Sequence, residues 1–385
     1  MIDFSLTDEQ KEMLDVAREF SASEIRPVAL EYDRDGTYPE AILKKAYEMG
    51  YTYSNIPQEY GGTGLDHMTH YIITEALNYD CCAIGQMISI AHLGVGAILK
   101  GGTEAQKKKF LGPMTENFRS ACFCLTEPGA GSDAAGIQTT ATKKGDKYII
   151  SGSKCFITNG QYADLLCVFA STDKSQGTRG ISCFAVPRAA PGIRVGRIED
   201  KMGQRALNVA EIFFDDVEVD DDSLIGEEGR GFPLAMMALD DGRINIAAVA
   251  TAISQKAIDE ALSWANQREQ FGEPIGNFQG VQFMLADMSA LIMASRAMYL
   301  QVAWMLDENI RCSTEAAATK CFTSDAAMKI TTDAVQILAG GGYMRGTFVE
   351  KLMRDAKLTQ IYEGTNQINR MVSGRGILKQ GSRLF

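Results

Sequence analysis

Ala121-Cys-Phe-Cys-Leu-Thr-Glu-Pro-Gly-Ala-Gly-Ser-Asp133 decides how this chain is read. An apolar, β-forming run closes at Thr126 and gives way to proline, glycine and serine, the pattern of a strand feeding a loop. Upstream the periodicity is helical. Downstream come further short runs of the same kind: Tyr148–Ser151, Leu165–Phe169, Ile181–Val186 and Ala210–Phe214. Turn formers at Lys144-Gly-Asp, Ser175-Gln-Gly and Pro191-Gly192 separate them. That spacing predicts a small antiparallel barrel or sandwich over 120–231.

Residues 1–119 read as a helical domain. Thr7 and Gln10 form a capping-box pattern, and Leu14, Ala17, Phe20 and Ile25 follow at helical spacing. Residues 232–385 carry four long periodic segments rich in alanine, methionine and leucine, near 233–268, 276–309, 314–339 and 365–379. These predict a four-helix bundle. The fold class is therefore α+β with three domains, 1–119, 120–231 and 232–385. No GxGxxG follows any strand-like run, which argues against a parallel dinucleotide-binding sheet.

Length and composition agree. The 385 residues suit two or three domains, and 45% apolar with 23% charged residues is ordinary for a globular chain. A formal net charge of −11 makes nucleic acid an unlikely main partner. The nine cysteines include adjacent Cys81 and Cys82 but no CxxC, and the three histidines are His67, His70 and His92, so no metal centre is expected. Free thiols point to a reducing compartment. The N-terminus lacks a basic region followed by an apolar run, and no apolar stretch was counted as reaching the ~20 residues of a membrane span. The expected location is cytoplasmic, or the mitochondrial matrix for a processed eukaryotic chain, without membrane insertion.

Three segments carry the chemistry. In Leu125–Asp133, glycines let the backbone approach a flat or phosphorylated ligand, although the same residues also make a tight turn. In Gly152-Ser-Lys-Cys-Phe-Ile-Thr-Asn-Gly160, an aromatic plane and a hydroxyl can cover a conjugated ring, or simply end a hairpin. In Met353–Gln367, Glu363 lies between an apolar, aromatic approach and Gly364-Thr365. A desolvated carboxylate there becomes a stronger base; the plainer alternative is that Glu363 helps cap the last helix.

Together these motifs resemble the acyl-CoA dehydrogenase family, from Asp3-Phe-Ser-Leu-Thr near the start to Ile-Tyr-Glu-Gly-Thr-Asn near the end. The resemblance implies an FAD enzyme that converts an acyl-CoA thioester to the 2-enoyl-CoA. It implies that Glu363 takes the α-proton, with Tyr362 and Gly364 flanking it on the substrate side. Leu125, Thr126, Phe156 and Thr158 would face the flavin; many members carry tryptophan where this chain has Phe156. Thr365 and Gln367 would bind the rest of FAD. Ser132, Asp240 and Arg243 would hold CoA. Arg268 and Phe271, and Gln336 and Gly340, would reach the FAD of a neighbouring subunit in a homotetramer built as a dimer of dimers. The implied electron acceptor is an electron-transferring flavoprotein.

Some members place their base just before the arginine matching Arg243; here that position is Gly242. Relatives with other chemistry stay in view: oxidases that pass electrons to oxygen, and non-catalytic flavin-bearing binding or assembly proteins. For the substrate, the resemblance makes Asp80–Lys100 the helix that floors the acyl pocket. It holds Ile84 about where glutaryl-CoA enzymes carry an arginine, which predicts an uncharged acyl group. Gly85, Gly94, Gly96 and Gly242 suggest width, and Gln86, Ser89 and His92 some polarity. A short to medium, branched or alicyclic acyl-CoA follows as the expectation.

Overall fold

The computed structural model describes residues 5–89 and 91–380; the readings placed on Asp3, Phe4, Ile90 and the His92 side chain lie outside it. The first stretch is helical: α1 (Asp8–Phe20), α2 (Ala29–Asp35), α3 (Glu40–Glu48), α4 (His67–Asn78), α5 (Cys82–Ser89), α6 (Ala91–Gly101) and α7 (Glu104–Glu116). The capping box at Thr7 is formed. The Gln10 amide donates to Thr7 Oγ1 at 3.1 Å, and the Thr7 amide donates to Gln10 Oε1 at 3.1 Å. It starts an amphipathic helix that buries Ala17 and Phe20. Every side chain of α5 is buried, as its apolar composition on all faces requires.

Eight strands make the middle sheet: β1 (Ala121–Cys124), β2 (Thr140–Lys144), β3 (Lys147–Thr158), β4 (Leu165–Ser171), β5 (Ile181–Pro187), β6 (Ile193–Ile198), β7 (Val209–Asp220) and β8 (Leu224–Ile225). Their order is β6-β7-β3-β2-β4-β5-β8, with β1 also on β4. The sheet is mixed, which corrects the wholly antiparallel expectation. β1 and β2 each pair with β4 in parallel. A tight hairpin forces antiparallel neighbours, but the chain leaving β1 passes through the loop and the β2–β3 hairpin before β4, and a long connection permits the parallel arrangement. The β3–β7 ladder shifts register between Lys154 and Ile157. The irregularity coincides with a left-handed Phe156 (φ 56°), and the ring is left 62% exposed.

The last stretch contains α8 (Gly231–Gln267), a short hairpin of β9 (Glu269–Gln270) and β10 (Glu273–Pro274), then α9 (Gln279–Asp307), α10 (Ser313–Gly342), α11 (Phe348–Thr359) and α12 (Asn366–Gln380). The helix α11 is additional to the four expected. Its buried Val349, Leu352 and Ala356 pack against the α8–α10 core of Ile253, Ala257, Ile330 and Ala334. Two stretches, Cys82–Gly101 and Gln279–Asp307, have the length and hydropathy of a membrane span, contrary to the sequence expectation. The first is almost wholly buried in the protein. The second, α9, leaves Phe283, Met293 and Trp304 exposed.

Candidate active site

The segment joining α11 to α12 turns through two successive left-handed residues, Glu363 (φ 53°) and Gly364 (φ 85°). Glycine adopts this conformation freely; a glutamate does so only when its surroundings over-determine it, at a cost of order 1–3 kcal/mol. The surroundings do so here. The Gly364 carbonyl accepts from Lys320 Nζ at 2.9 Å and from Asn369 Nδ2 at 2.7 Å. The Tyr362 hydroxyl accepts from Gln86 and Gln204. Gln204 is held in turn by Asp355 of α11, which accepts from its backbone amide. Thr365, not Glu363, performs the capping: its Oγ1 accepts from the Ile368 amide at 3.3 Å.

The Glu363 side chain is thereby freed. Part of the residue is open to the surface, but Oε2 is buried without a hydrogen-bond partner among the described residues. It points at Gly242 of α8, where a Cβ would stand 2.7 Å from Oε2 and 3.0 Å from Cδ. Burial pushes the carboxyl up to about 7, against the opposing pull of Arg243 and Lys320. Gly242 therefore makes room for the carboxylate and not, as its sequence position suggested, for the acyl chain. The helix glycines are likewise packed. A Cβ on Gly85 would meet Asn78 Cγ at 2.7 Å, and one on Gly94 would meet the Ala121 carbonyl carbon at 2.7 Å. Gly96 lies at ordinary contact with Ala238.

Arg243, on the same face of α8 one turn beyond Asp240, is buried and ion-paired with it. The second oxygen of Asp240 accepts from Ser313 Oγ at 2.5 Å. Arg243 Nε has no partner among the described residues.

The other sequence-derived segments lie on the sheet. The Cys155 amide donates to the Thr126 carbonyl at 2.9 Å, which sets Phe156 beside the buried Leu125 and half-buried Thr126. Thr158 follows two residues on. Fully buried Lys154 donates to the Leu125 carbonyl at 3.0 Å and to Glu127 Oε1 at 2.8 Å. Glu127 also accepts the Gln138 and Thr139 amides, so the loop leaving β1 is tied down at both ends. Its next residues are open: Ser132 is exposed and nothing lies within 4 Å of a Cβ on Gly129 or Gly131. An exposed aromatic plane, a threonine hydroxyl and unobstructed glycine backbone form a cradle suited to a flat ring with a polar tail.

Four of the sequence-derived residues stand elsewhere. Arg268 ends α8, and Phe271 (φ 56°, 96% exposed) tips the β9–β10 hairpin. Gln336 and Gly340 are exposed near the end of α10, and Trp264 against Gly341 shows that these two helix ends meet. Gln336 lies about 24 Å along α10 from Lys320, at the usual helical rise, and Gly340 follows a break in the helix at Ala339. Thr365 and the exposed Gln367 flank the start of α12. Lys320, Gln204 and Lys154 have no role in the sequence reading, and Gln86 enters it only as a polar residue of the pocket helix; a lone lysine on the buried small-residue face of α10 is the signal that would have exposed the first.

The chain runs helix, sheet, helix, with a buried carboxylate on the segment before its last helix and an exposed aromatic ring on its sheet. Three family models match it in order: "Acyl-CoA dehydrogenase, N-terminal domain" over residues 7–117, "middle domain" over 122–217 and "C-terminal domain" over 229–378. The chain is 43% identical over 375 residues to cyclohex-1-ene-1-carbonyl-CoA dehydrogenase of Syntrophus aciditrophicus, covering 97% of this chain and 91% of that one. Its structure is similar to butyryl-CoA dehydrogenase from Megasphaera elsdenii, with TM-score 0.96 and 42% identity, covering 98% and 100% of the two chains. It is also similar to a chain from work on the electron transferring flavoprotein of Acidaminococcus fermentans, with TM-score 0.95, 44% identity and coverage of 98% and 100%. The chain belongs to the acyl-CoA dehydrogenase family. It is thus an oxidoreductase of acyl-CoA dehydrogenation, in a family of flavoproteins.

Proposed function

We propose that Glu363 is the general base that removes the α-proton of a short, uncharged acyl-CoA bound against FAD, giving the 2-enoyl-CoA. The observation that carries this reading is the Glu363 carboxylate itself: desolvated, unpartnered at Oε2 and poised near neutrality. The Gly242 position holds no competing acid and faces that carboxylate directly.

The residues present fit FAD. Leu125, Thr126, Phe156 and Thr158 would hold its ring system, with Thr365 and Gln367 toward its remaining length. The bound flavin supplies the acceptor for the hydride that leaves the β-carbon. The protein contributes the rest. Glu363, as the carboxylate, receives the α-proton and becomes the carboxylic acid. The Glu363 backbone amide, fixed by the left-handed turn, can donate to the thioester oxygen where charge develops. Arg243, Asp240 and Ser132 would bind the CoA portion, and Tyr362, anchored by Gln86 and Gln204, holds the base segment against α5.

Arg268 and the Phe271 hairpin follow the far end of α8, about 38 Å along that helix from Gly242, and Gln336 lies about 24 Å along α10 from Lys320, which supports FAD bound across a subunit interface. The exposed apolar side chains of α9 support a homotetramer of three-domain subunits with limits near 119 and 231. Reoxidation by an electron-transferring flavoprotein is supported by the likeness to the Acidaminococcus chain. The butyryl-CoA and cyclohexene-carbonyl-CoA relatives support a short linear or alicyclic substrate.

The test is anaerobic mixing of the purified yellow protein with butyryl-CoA. The parent should bleach, and Glu363→Gln should keep FAD and bind the ligand while bleaching ~10²–10⁴-fold more slowly. Near-parental bleaching of that variant would remove Glu363 from the mechanism. Rapid reoxidation of the reduced parent by oxygen would favour an oxidase.

A further inference from the structure

We propose that Lys320 is the positioning residue for the catalytic carboxylate: its ammonium, clamped on the Gly364 carbonyl and the Asn366 side chain, holds Glu363 in the turn that aims it at Gly242. The inference rests on the reading of Glu363 as the base.

Lys320 lies on the buried face of α10 among Ala316, Ala317, Thr323, Ser324 and Ala327, and is itself fully buried. Buried lysines are ordinarily paired with a carboxylate. Among the described residues this one forms no ion pair. Its Nζ instead donates to Gly364 O at 2.9 Å and to Asn366 Oδ1 at 3.0 Å. Asn366 is fastened to the same helix, donating to Ser324 Oγ at 2.9 Å and Asp325 Oδ1 at 2.8 Å. The charge of α10 is therefore spent on the peptide that follows Gly364. That peptide closes a pair of left-handed residues, the first a glutamate for which the conformation is unfavourable. The same carbonyl also accepts from Asn369 Nδ2 at 2.7 Å, so removing Lys320 leaves one of its two anchors, and the turn holds the carboxylate beside Gly242 less firmly.

The ammonium has a second effect. It faces Glu363 from the loop, Arg243 from α8, and Cys321 and Asp325 from α10; Arg370 of α12 faces the adjoining Cys321. Burial brings Lys320 down to about 8 and Glu363 up to about 7, while the Lys320 cation draws Glu363 back down. Removing the cation must raise the Glu363 value, because a positive neighbour favours the carboxylate form.

The test uses FAD-loaded Lys320→Met and Lys320→Gln with butyryl-CoA. In Lys320→Met the bleaching rate constant should fall ~10–100-fold, as expected for a displaced catalytic group, with KM changed far less. The acid limb of its pH–rate profile should move to higher pH. The protonated-carboxyl infrared band, assigned by its loss in Glu363→Gln, should titrate at higher pH in the same direction without turnover. Lys320→Gln keeps an N–H donor without the charge, so it should recover part of the rate but none of the limb shift. If Lys320→Met does not fold, the limb and band of Lys320→Gln decide. An acid limb and band that stay at parental pH in the folded variants would overturn the proposal. If the parent is bleached and Glu363→Gln is not, while the lysine variants behave as parent, the positioning role alone falls. A parent bleached by no acyl-CoA removes the base assignment and this inference with it.

Discussion

Replacing Gly242 by alanine sets two effects of opposite sign against each other. In the interior of a helix the exchange gains about 1 kcal/mol from propensity. At this position the new methyl stands 2.7 Å from Glu363 Oε2, and ordinary contact begins near 3.4 Å, so the carboxylate must retreat by about 0.7 Å. The carboxylate is the softer partner, since it ends a side chain while Gly242 is embedded in α8. A displacement approaching 1 Å costs a catalytic group up to ~10²-fold, or about 2.7 kcal/mol of barrier. Gly242→Ala should therefore melt no lower than the parent, retain FAD, and bleach on butyryl-CoA ~10–100-fold more slowly in a single anaerobic turnover. Stopped-flow absorbance and a thermal melt on the same preparation measure both quantities. A rate within twofold of the parent would refute the assigned contact. So would a melting point that falls together with the rate, because the helix and not the carboxylate would then have given way.

The parent bleaching rate should rise with pH through about 7, since only the deprotonated carboxylate accepts a proton and burial holds that transition near neutrality; a profile flat from pH 6 to 8 would contradict it. Lys154→Met leaves the Glu127 carboxylate buried without its cation, so stability by urea unfolding should fall by about 3–5 kcal/mol and FAD retention should weaken. Phe271→Ala should lower FAD occupancy without altering the melting of the apoprotein, and light scattering of the parent should give a tetramer; a monomer with full FAD would exclude the cross-subunit site. Across an acyl-CoA panel, kcat/KM should be highest for butyryl- or cyclohexanecarbonyl-CoA, and a preference for glutaryl- or palmitoyl-CoA would show the pocket misread.

The three-part architecture was legible because helical and alternating periodicities are local and strong. The parallel pairing of β1 with β4 was not, because it depends on the route of the connection and leaves no mark in either strand. Helix α11 was passed over although Val349, Leu352 and Ala356 recur at helical spacing; the buried Lys351–Asp355 ion pair at 2.5 Å puts two charges on that same face. Glu363 was found from its motif, but its environment was not. The partners that hold it, Lys320, Gln86 and Gln204, come from three separate stretches, and each looks like an ordinary polar residue in sequence. The glycines misled for a related reason: a missing side chain reads equally as open space or as close packing, and only the neighbour at Gly85, Gly94 or Gly242 decides.

The anchoring of Tyr362 also bears on when the site comes into being. Its hydroxyl meets Gln86 across 276 residues of chain and Gln204 across 158. Contacts of such separation must first overcome the entropy of closing long loops, so they form after the local helices and hairpins. The base segment is consequently completed only when all three stretches have docked. Until then Glu363 is an ordinary solvated acid, and the chain can acquire most of its secondary structure while still lacking the group that defines its chemistry.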